Sequence, residues 1–172
     1  GRWTGKMVQI TDALLDPLGW KKPRRVFVNS MSDLFHDGVT DRFIAACFAV
    51  MSARRDHTFQ ILTKRPERAL NWFRAFSKHL STFALLDALE ELPADKRELV
   101  RVSTMWPLPN VWIGTSVEDQ ETSDTREELL RQIPAAVRFI SQEPQIGSID
   151  RTTLKGIHWL IVGGESGPKF RP

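Results

Sequence analysis

Cysteine is almost missing from this chain of 172 residues, in which Cys47 is the single example. One thiol cannot build a disulfide framework or a CxxC metal site within these residues. The chain also has no apolar run of the roughly 20 residues that a membrane-spanning helix needs, and no signal-peptide stretch follows Gly1. These absences predict a cytoplasmic protein with no membrane partner and no metal ligated by its own residues.

Several catalytic signatures are missing as well. The sequence has no nucleophile elbow, no P-loop and no HExxH motif. Of its four histidines, His57 and His158 precede or begin predicted strands and His79 falls in a predicted insertion, so only His36 lies in a strand-end loop. This placement argues against a histidine-rich hydrolytic metal centre, and it identifies no catalytic residue.

The residues that are present suit a single globular domain. Hydrophobic residues make up 41% of the chain, including six Trp and ten Phe, which is enough to bury a core. Lys and Arg number 24 against 21 Asp and Glu, and a pI near 9.3 makes nucleic-acid binding worth considering. The densest basic run, residues 21–25, precedes an apolar strand. It is either a solvated flank of that strand or a phosphate-binding patch.

Five runs rich in β-branched and aromatic residues predict strands that are covered on both faces: residues 26–30, 58–63, 111–115, 137–141 and 158–162. Helical periodicity predicts a helix with Thr40 as its N-cap that ends near residues 54–55, a second from about Pro66, and a third over residues 121–133. Residues 77–105 are predicted to form a helical insertion, with a helix over residues 83–92.

Alternating strands and helices predict right-handed crossovers and a parallel sheet. No GxGxxG turn follows the first strand, and polar residues occur at all five strand ends, which favours a rolled sheet over a flat one. Five strands cannot close an eight-stranded barrel. We therefore expect an α/β fold, a partial TIM-like (βα) barrel that forms one domain over residues 1–172 and lacks N- and C-terminal segments.

Polar side chains follow the first two predicted strands. In parallel α/β folds the carboxyl ends of the strands hold the ligand, because loops and helix N-termini converge there. After the first strand, Ser32 and Asp33 are either ligand groups or turn caps, and His36 is the well-placed histidine. After the second strand, Lys64 and Arg65 precede a helix N-terminus that favours an anion. A solvated helix start is the alternative reading of these two cations.

The remaining strand ends are also polar. Glu118 follows the third strand, where it is either a ligand group or an ordinary complement to the dipole of the next helix. Glu143 follows the fourth strand. After the fifth strand, Gly163 and Gly164 would let a ligand approach the backbone, and Glu165 offers a carboxylate to an amine or hydroxyl. A tight turn with an exposed glutamate is the alternative at this position.

Five ordered stretches, residues 20–36, 59–68, 111–120, 137–144 and 159–168, together resemble a phage and prophage family of radical-SAM-like proteins. The resemblance covers nearly the whole chain apart from the insertion. It implies a radical-SAM-like barrel whose three-cysteine motif lies upstream of the region matched here and holds a [4Fe–4S] cluster. It also implies S-adenosylmethionine as a cofactor, and the phage setting hints at a nucleic-acid or nucleotide substrate.

For this chain the resemblance implies a fragment that lacks the cluster ligands and is inactive alone. Cys47 lies on the core face of the predicted helix that follows Thr40, so we expect it to pack there rather than to bind a metal. The cofactor-binding residues that the resemblance implies are Asn29, Ser30, Ser32, Asp33, Thr115, Ser116, Glu118, Glu143, Gly163, Gly164, Glu165 and Ser166. The residues expected to bind the substrate or an anion are His36, Lys64 and Arg65.

Two further hypotheses remain open from the sequence. The first is a non-catalytic phage protein that binds nucleic acid through residues 21–25 together with Lys64 and Arg65. The second is a metal-dependent barrel hydrolase that uses the side chains of Asp33, His36, Glu118 and Glu165. Residues upstream of Gly1 would separate the three hypotheses, because they predict a cysteine triplet, a basic tail and a His-x-His strand end, respectively.

Overall fold

A parallel sheet of five strands organises the protein in a computed structural model that describes residues 7–79, 87–102 and 105–165. The strands are β1 (Arg25–Val28), β2 (Thr58–Thr63), β3 (Val111–Ser116), β4 (Val137–Gln145) and β5 (Trp159–Gly164). Each strand pairs in parallel with the next along the chain, and the sheet curls into a half-barrel. The predicted α/β class and the strand order are therefore confirmed.

One helix precedes β1, and the other helices lie in the connections β1–β2, β2–β3 and β3–β4. They are α1 (Thr11–Gly19), α2 (Asp41–Ala53), α3 (Pro66–His79), the short α4 (Ala94–Arg97) and α5 (Gln120–Gln132), with a 3₁₀ turn at Leu89–Glu91. Thr40 caps α2, as predicted, by accepting a hydrogen bond from the backbone N–H of Phe43 at 3.2 Å. No helix in the described parts of the chain is long and apolar enough to cross a membrane.

Two helical segments differ from the sequence prediction. Helix α1 was not predicted at all. The predicted helix over residues 83–92 lies partly outside the described residues, and its described part is helical at residues 87 and 88 and then continues as the 3₁₀ turn Leu89–Glu91. The described part of the predicted helix is therefore helical up to Glu91, and its last turn is 3₁₀.

One face of the sheet packs against the helices and forms the core. Phe59, Ile61, Val111 and Ile113 lie on this face, where they are almost fully buried. Cys47 on α2 belongs to the same core and is 6% exposed, as the sequence predicted. Because side chains alternate along a strand, the intervening residues point to the opposite side of the sheet.

We call that opposite side the concave face, and it consists of Phe27, Gln60, Leu62, Trp112, Gly114, Phe139 and Trp159. Phe139 is fully buried there because its ring lies across Gly114. A Cβ at Gly114 would be 2.6 Å from three ring atoms, so only glycine fits beneath the ring.

Two histidines lie at the amino ends of the strands, as predicted. The Nδ1 atom of His57 accepts a hydrogen bond from the backbone N–H of Arg24 at 3.3 Å, and Nδ1 of His158 accepts one from the backbone N–H of Arg138 at 3.1 Å. Each histidine therefore links its own strand to the start of a neighbouring strand. Neither reaches the carboxyl ends, where the predicted site lies.

Candidate functional site

The carboxyl ends of all five strands form one edge of the sheet, which we call the rim. A cavity of about 670 Å³ opens on the rim beside the ends of β1, β2 and β3. Eight of the predicted site residues line this rim cavity: Asn29, Ser30, Ser32, Asp33, His36, Lys64, Arg65 and Ser116. Phe27, Met31 and Leu62 add an apolar surface to the same cavity.

Asn29 sets the direction of the loop that enters the rim cavity. Its φ angle of 60° lies in the left-handed region, which asparagine tolerates better than most residues. The carbonyl of Asn29 accepts a hydrogen bond from the backbone N–H of Ser32 at 3.1 Å, which closes a turn. The end of β1 at Val28, two residues earlier than predicted, follows from this turn.

Asp33 fastens the β1 loop to the end of β2. Its Oδ1 accepts hydrogen bonds from the backbone N–H of Phe35 at 2.9 Å and from Oγ1 of Thr63 at 2.8 Å. Its Oδ2 accepts bonds from the backbone N–H of Lys64 and from Nη1 of Arg65, both at 3.1 Å. Four donors occupy most of the acceptor capacity of a carboxylate. From the sequence, Asp33 could be either a ligand group or a turn cap. In the structure it caps the turn through Phe35 and also bonds to three residues at the end of β2.

Both cations of the rim cavity are already paired with carboxylates. Nζ of Lys64 lies 2.5 Å from Oε1 of Glu118, in an ion pair rather than an aligned hydrogen bond. Oε2 of Glu118 accepts a hydrogen bond from Nη1 of Arg126 at 2.9 Å, and Arg65 is paired with Asp33. An anionic ligand would therefore compete with these carboxylates for the two cations.

The loop after β3 ends in a capping box formed by Asp119 and Thr122 at the start of α5. The side chain of Asp119 accepts a hydrogen bond from the backbone N–H of Thr122 at 2.9 Å, and Oγ1 of Thr122 in turn accepts one from the backbone N–H of Asp119 at 3.1 Å. The bond from Thr122 N–H holds the pKa of Asp119 below its usual value. Asp119 thus complements the helix dipole of α5, the ordinary role that the sequence left open for this loop.

Thr115 does not reach the rim cavity. It is fully buried, and its hydroxyl donates a hydrogen bond to the carbonyl of Thr63 at 2.8 Å. This hydroxyl therefore joins two strands. Its neighbour Ser116 lies on the opposite face of β3 and does line the cavity.

A second polar patch lies on the rim at β4 and β5, outside the lining of the rim cavity. Glu143 is exposed, and its Cδ would be 3.2 Å from a Cβ at Gly163, so Gly163 makes room for that side chain. Gly164 has open space around it, which a ligand could use. Glu165 follows and is partly buried, whereas Ser166 lies outside the described residues.

The structure adds site residues that the sequence analysis missed. Arg126 on α5 donates to the carbonyl of Ser116 at 2.8 Å as well as to Glu118, and Thr63 bonds to Asp33. Arg126 gave no local signal, because arginine is common on helix surfaces. In the described ranges, no three His, Cys, Asp or Glu side chains come close enough together to hold a metal ion.

Comparisons with known proteins give one family. A family model described as a protein of unknown function, DUF5131, matches residues 2–172. No curated protein and no solved structure matched the chain. The family match covers almost the whole sequence but brings no activity with it, so a function has to be argued from the rim and its chemistry.

Proposed function

This chain belongs to the DUF5131 family, and we propose that it binds S-adenosylmethionine at the rim as part of a radical-SAM-like enzyme. The observation that carries the proposal is the rim cavity. It brings together eight residues from the loops after β1 and β2 and from the end of β3. The resemblance to phage and prophage radical-SAM-like proteins implies cofactor or substrate binding for each of them. The cavity volume of about 670 Å³ is in the usual range of small-molecule sites.

The chemistry of the rim suits the parts of S-adenosylmethionine. Phe27 and Met31 are 44% and 71% exposed, so the rim cavity offers apolar surface to an adenine ring. Asn29, Ser30 and Ser32 offer hydrogen-bonding groups to the ribose hydroxyls. When bound, S-adenosylmethionine supplies an activated sulfonium centre for group-transfer or radical chemistry.

Charged groups on the rim suit the amino-acid part of the ligand. Glu143 and Glu165 can accept charge-assisted hydrogen bonds from its ammonium group. Arg65 has five N–H donors and is 36% exposed, so it can contact the ligand carboxylate while one N–H still bonds to Asp33. Asp33 acts here as a positioning residue that holds Arg65 in the cavity wall.

The residues of this chain do not fit a [4Fe–4S] cluster. Cys47 is buried on α2 beneath the sheet, and burial raises the pKa of its thiol to about 12, which suppresses the thiolate that iron needs. We therefore assign no cluster ligand to these residues. In this proposal the cluster is ligated outside the chain, as the resemblance implies.

The structure gives the other two hypotheses less support. A metal-dependent hydrolase would need Asp33 and Glu118 as ligands, but both carboxylates are held by cations of the protein. A single nucleic-acid surface would need residues 21–25 beside Lys64, but these lie at opposite ends of the strands.

Isothermal titration of the chain with S-adenosylmethionine tests the proposal directly. We expect saturable binding, which Glu165→Gln weakens by about 1.5–3 kcal/mol because the charge is lost while the shape is kept. Glu128→Gln is the matched control, since Glu128 is an exposed carboxylate on α5. Absence of saturable binding to the unaltered chain would refute the proposal. Equal affinity of the Glu165 variant would return Glu165 to the role of a turn residue.

A further inference from the structure

A cluster of four cations without ion-pair partners among the described residues lies at the amino end of β1. We call residues 21–25 the basic segment, and its four cations, Lys21, Lys22, Arg24 and Arg25, are all exposed. None of them takes part in an ion pair within the described residues, in contrast to Lys64 and Arg65 at the rim. Asp56 precedes β2, the strand that pairs with β1. Both of its carboxylate oxygens accept hydrogen bonds from Arg54. The basic segment is therefore free to attract an external anion.

The concave face that adjoins the basic segment carries open aromatic rings. Phe27 is 44% exposed and Trp159 is 41% exposed, and Trp112 is partly exposed between them. The ring centroids of Trp112 and Trp159 are 6.1 Å apart, with an interplanar angle of 78°. Exposed rings of this size usually mark a contact surface, because their burial in a complex is strongly favourable.

Two of the four cations lie over aromatic rings, and one of these rings, Trp112, belongs to the concave face. The guanidinium of Arg25 lies 5.6 Å from the centroid of the Trp112 ring, and that of Arg24 lies 4.5 Å from the centroid of Trp20. Cation–π contacts of this kind hold the guanidinium groups near the rings while their N–H groups stay available. A ligand with negative charges spaced along a chain of planar rings would match both features together.

A buried amide within the aromatic set also lacks a partner. Gln60 pairs in register with both Phe27 and Trp112 and is 5% exposed. Its Nε2 has no hydrogen-bond partner in the described part of the chain. An unsatisfied buried donor is costly, and a nucleobase carbonyl or ring nitrogen would satisfy it if the side chains that cover the amide move on binding.

We propose that the concave face and the basic segment bind single-stranded nucleic acid. The bases stack on Phe27, Trp112 and Trp159, and the phosphates contact the basic segment. Single strands are favoured over duplexes because a stacking surface needs bases that are not already paired and stacked. The proposal does not rest on S-adenosylmethionine binding: Phe27 is shared with the rim cavity, but Trp112, Trp159 and the basic segment do not line that cavity.

Fluorescence anisotropy with a labelled oligothymidylate, measured over a range of salt concentrations, tests the proposal. If all four cations contact phosphates, the logarithm of the binding constant should fall against the logarithm of salt with a slope of about −3. Replacing Lys22 and Arg25 together by Gln should reduce that slope by about 1.4. The control is Arg74→Gln on the helix layer, where Arg74 bonds to Gln132; it should leave the slope unchanged.

The stacking part of the proposal has its own variants. Trp159→Leu should weaken binding about tenfold at constant salt slope, because stacking and phosphate contacts are separate contributions. Phe27→Leu is a second variant at an exposed ring, and circular dichroism would show that both variants are folded.

The proposal would be overturned by a lack of binding at low salt, by equal affinity for duplex and single strand, or by unchanged affinity in both ring variants. Equally effective competition by polyglutamate would also refute it, since it would indicate attraction to any polyanion. If the unaltered chain binds S-adenosylmethionine but not the oligothymidylate, this proposal alone is contradicted. If it binds the oligothymidylate but not S-adenosylmethionine, the proposed function alone is contradicted.

Discussion

Replacing Asp33 by Ala should destabilise the rim more than any other single loop substitution there. The carboxylate is 14% exposed and accepts bonds from Phe35, Thr63, Lys64 and Arg65. The bonds to Phe35 N–H and Thr63 Oγ1 are partly buried, and each should cost about 1–1.5 kcal/mol when its acceptor is lost. Lys64 N–H and the half-exposed Arg65 can turn to water, so together they add only about 0.5–1 kcal/mol.

The expected loss for Asp33→Ala is therefore about 3 kcal/mol in the free energy of unfolding. Urea denaturation followed by circular dichroism measures it. Asp37→Asn is the matched control, because Asp37 is 81% exposed and lies 4.0 Å from Arg65, so its replacement should change stability by less than about 0.5 kcal/mol. A loss below about 1 kcal/mol for Asp33→Ala would refute the assignment of Asp33 as the fastening group of this loop.

Three further predictions concern the core, the concave face and the β1 turn. Cys47 should react with a thiol reagent only after unfolding, and rapid labelling of the folded protein near neutral pH would contradict this. Because burial raises the pKa of Cys47 to about 12, its contribution to the free energy of unfolding should be lost as pH rises from about 8.5 towards that value. Gly114→Ala should cost about 1–3 kcal/mol by pushing against the Phe139 ring, and adding Phe139→Leu should recover part of that loss in urea denaturation. Asn29→Gly should be tolerated whereas Asn29→Val should lower Tm, since the φ angle of 60° is strained for a β-branched residue; equal Tm values would argue against the turn.

The regular elements were largely predictable because their signals are local. Strand β2 was predicted over its observed bounds, and the N-cap of α2 and the start of α3 at Pro66 follow from capping chemistry. Helix α1 was missed because Pro17 lies inside it and Ile10 at its N-cap makes no side-chain cap bond. Tertiary contacts hold this helix instead, including a hydrogen bond from Arg54 to the carbonyl of Pro17.

The sequence predicted which residues lie at the rim, but it did not predict which of their charged side chains form ion pairs. Asp33 and Arg65 are 32 residues apart, and nothing local to either one specifies the other. The sequence therefore presented Lys64 and Arg65 as cations awaiting an anion, whereas the fold brings a carboxylate from a neighbouring strand end to each of them. Pairing of this kind depends on which loops become neighbours, and that is decided by the parallel strand order rather than by spacing along the chain.

The net charge of +3 is distributed unevenly along the strands: cations are in excess at their amino ends, and carboxylates are in excess at the rim. In the segments that lead into the strands, residues 20–24, 54–57, 105–110, 133–136 and 156–158, Asp56 is the only acidic residue, and Arg54 holds its pKa near 2, so it stays ionised and engaged. At the rim, four cations, Lys64, Arg65, Arg68 and Arg126, face six carboxylates: Asp33, Asp37, Glu118, Asp119, Glu143 and Glu165. A cationic sulfonium ligand is therefore better matched to the rim, and a polyanion to the amino ends. This division is the electrostatic reason for placing the two proposed ligands at different parts of the sheet.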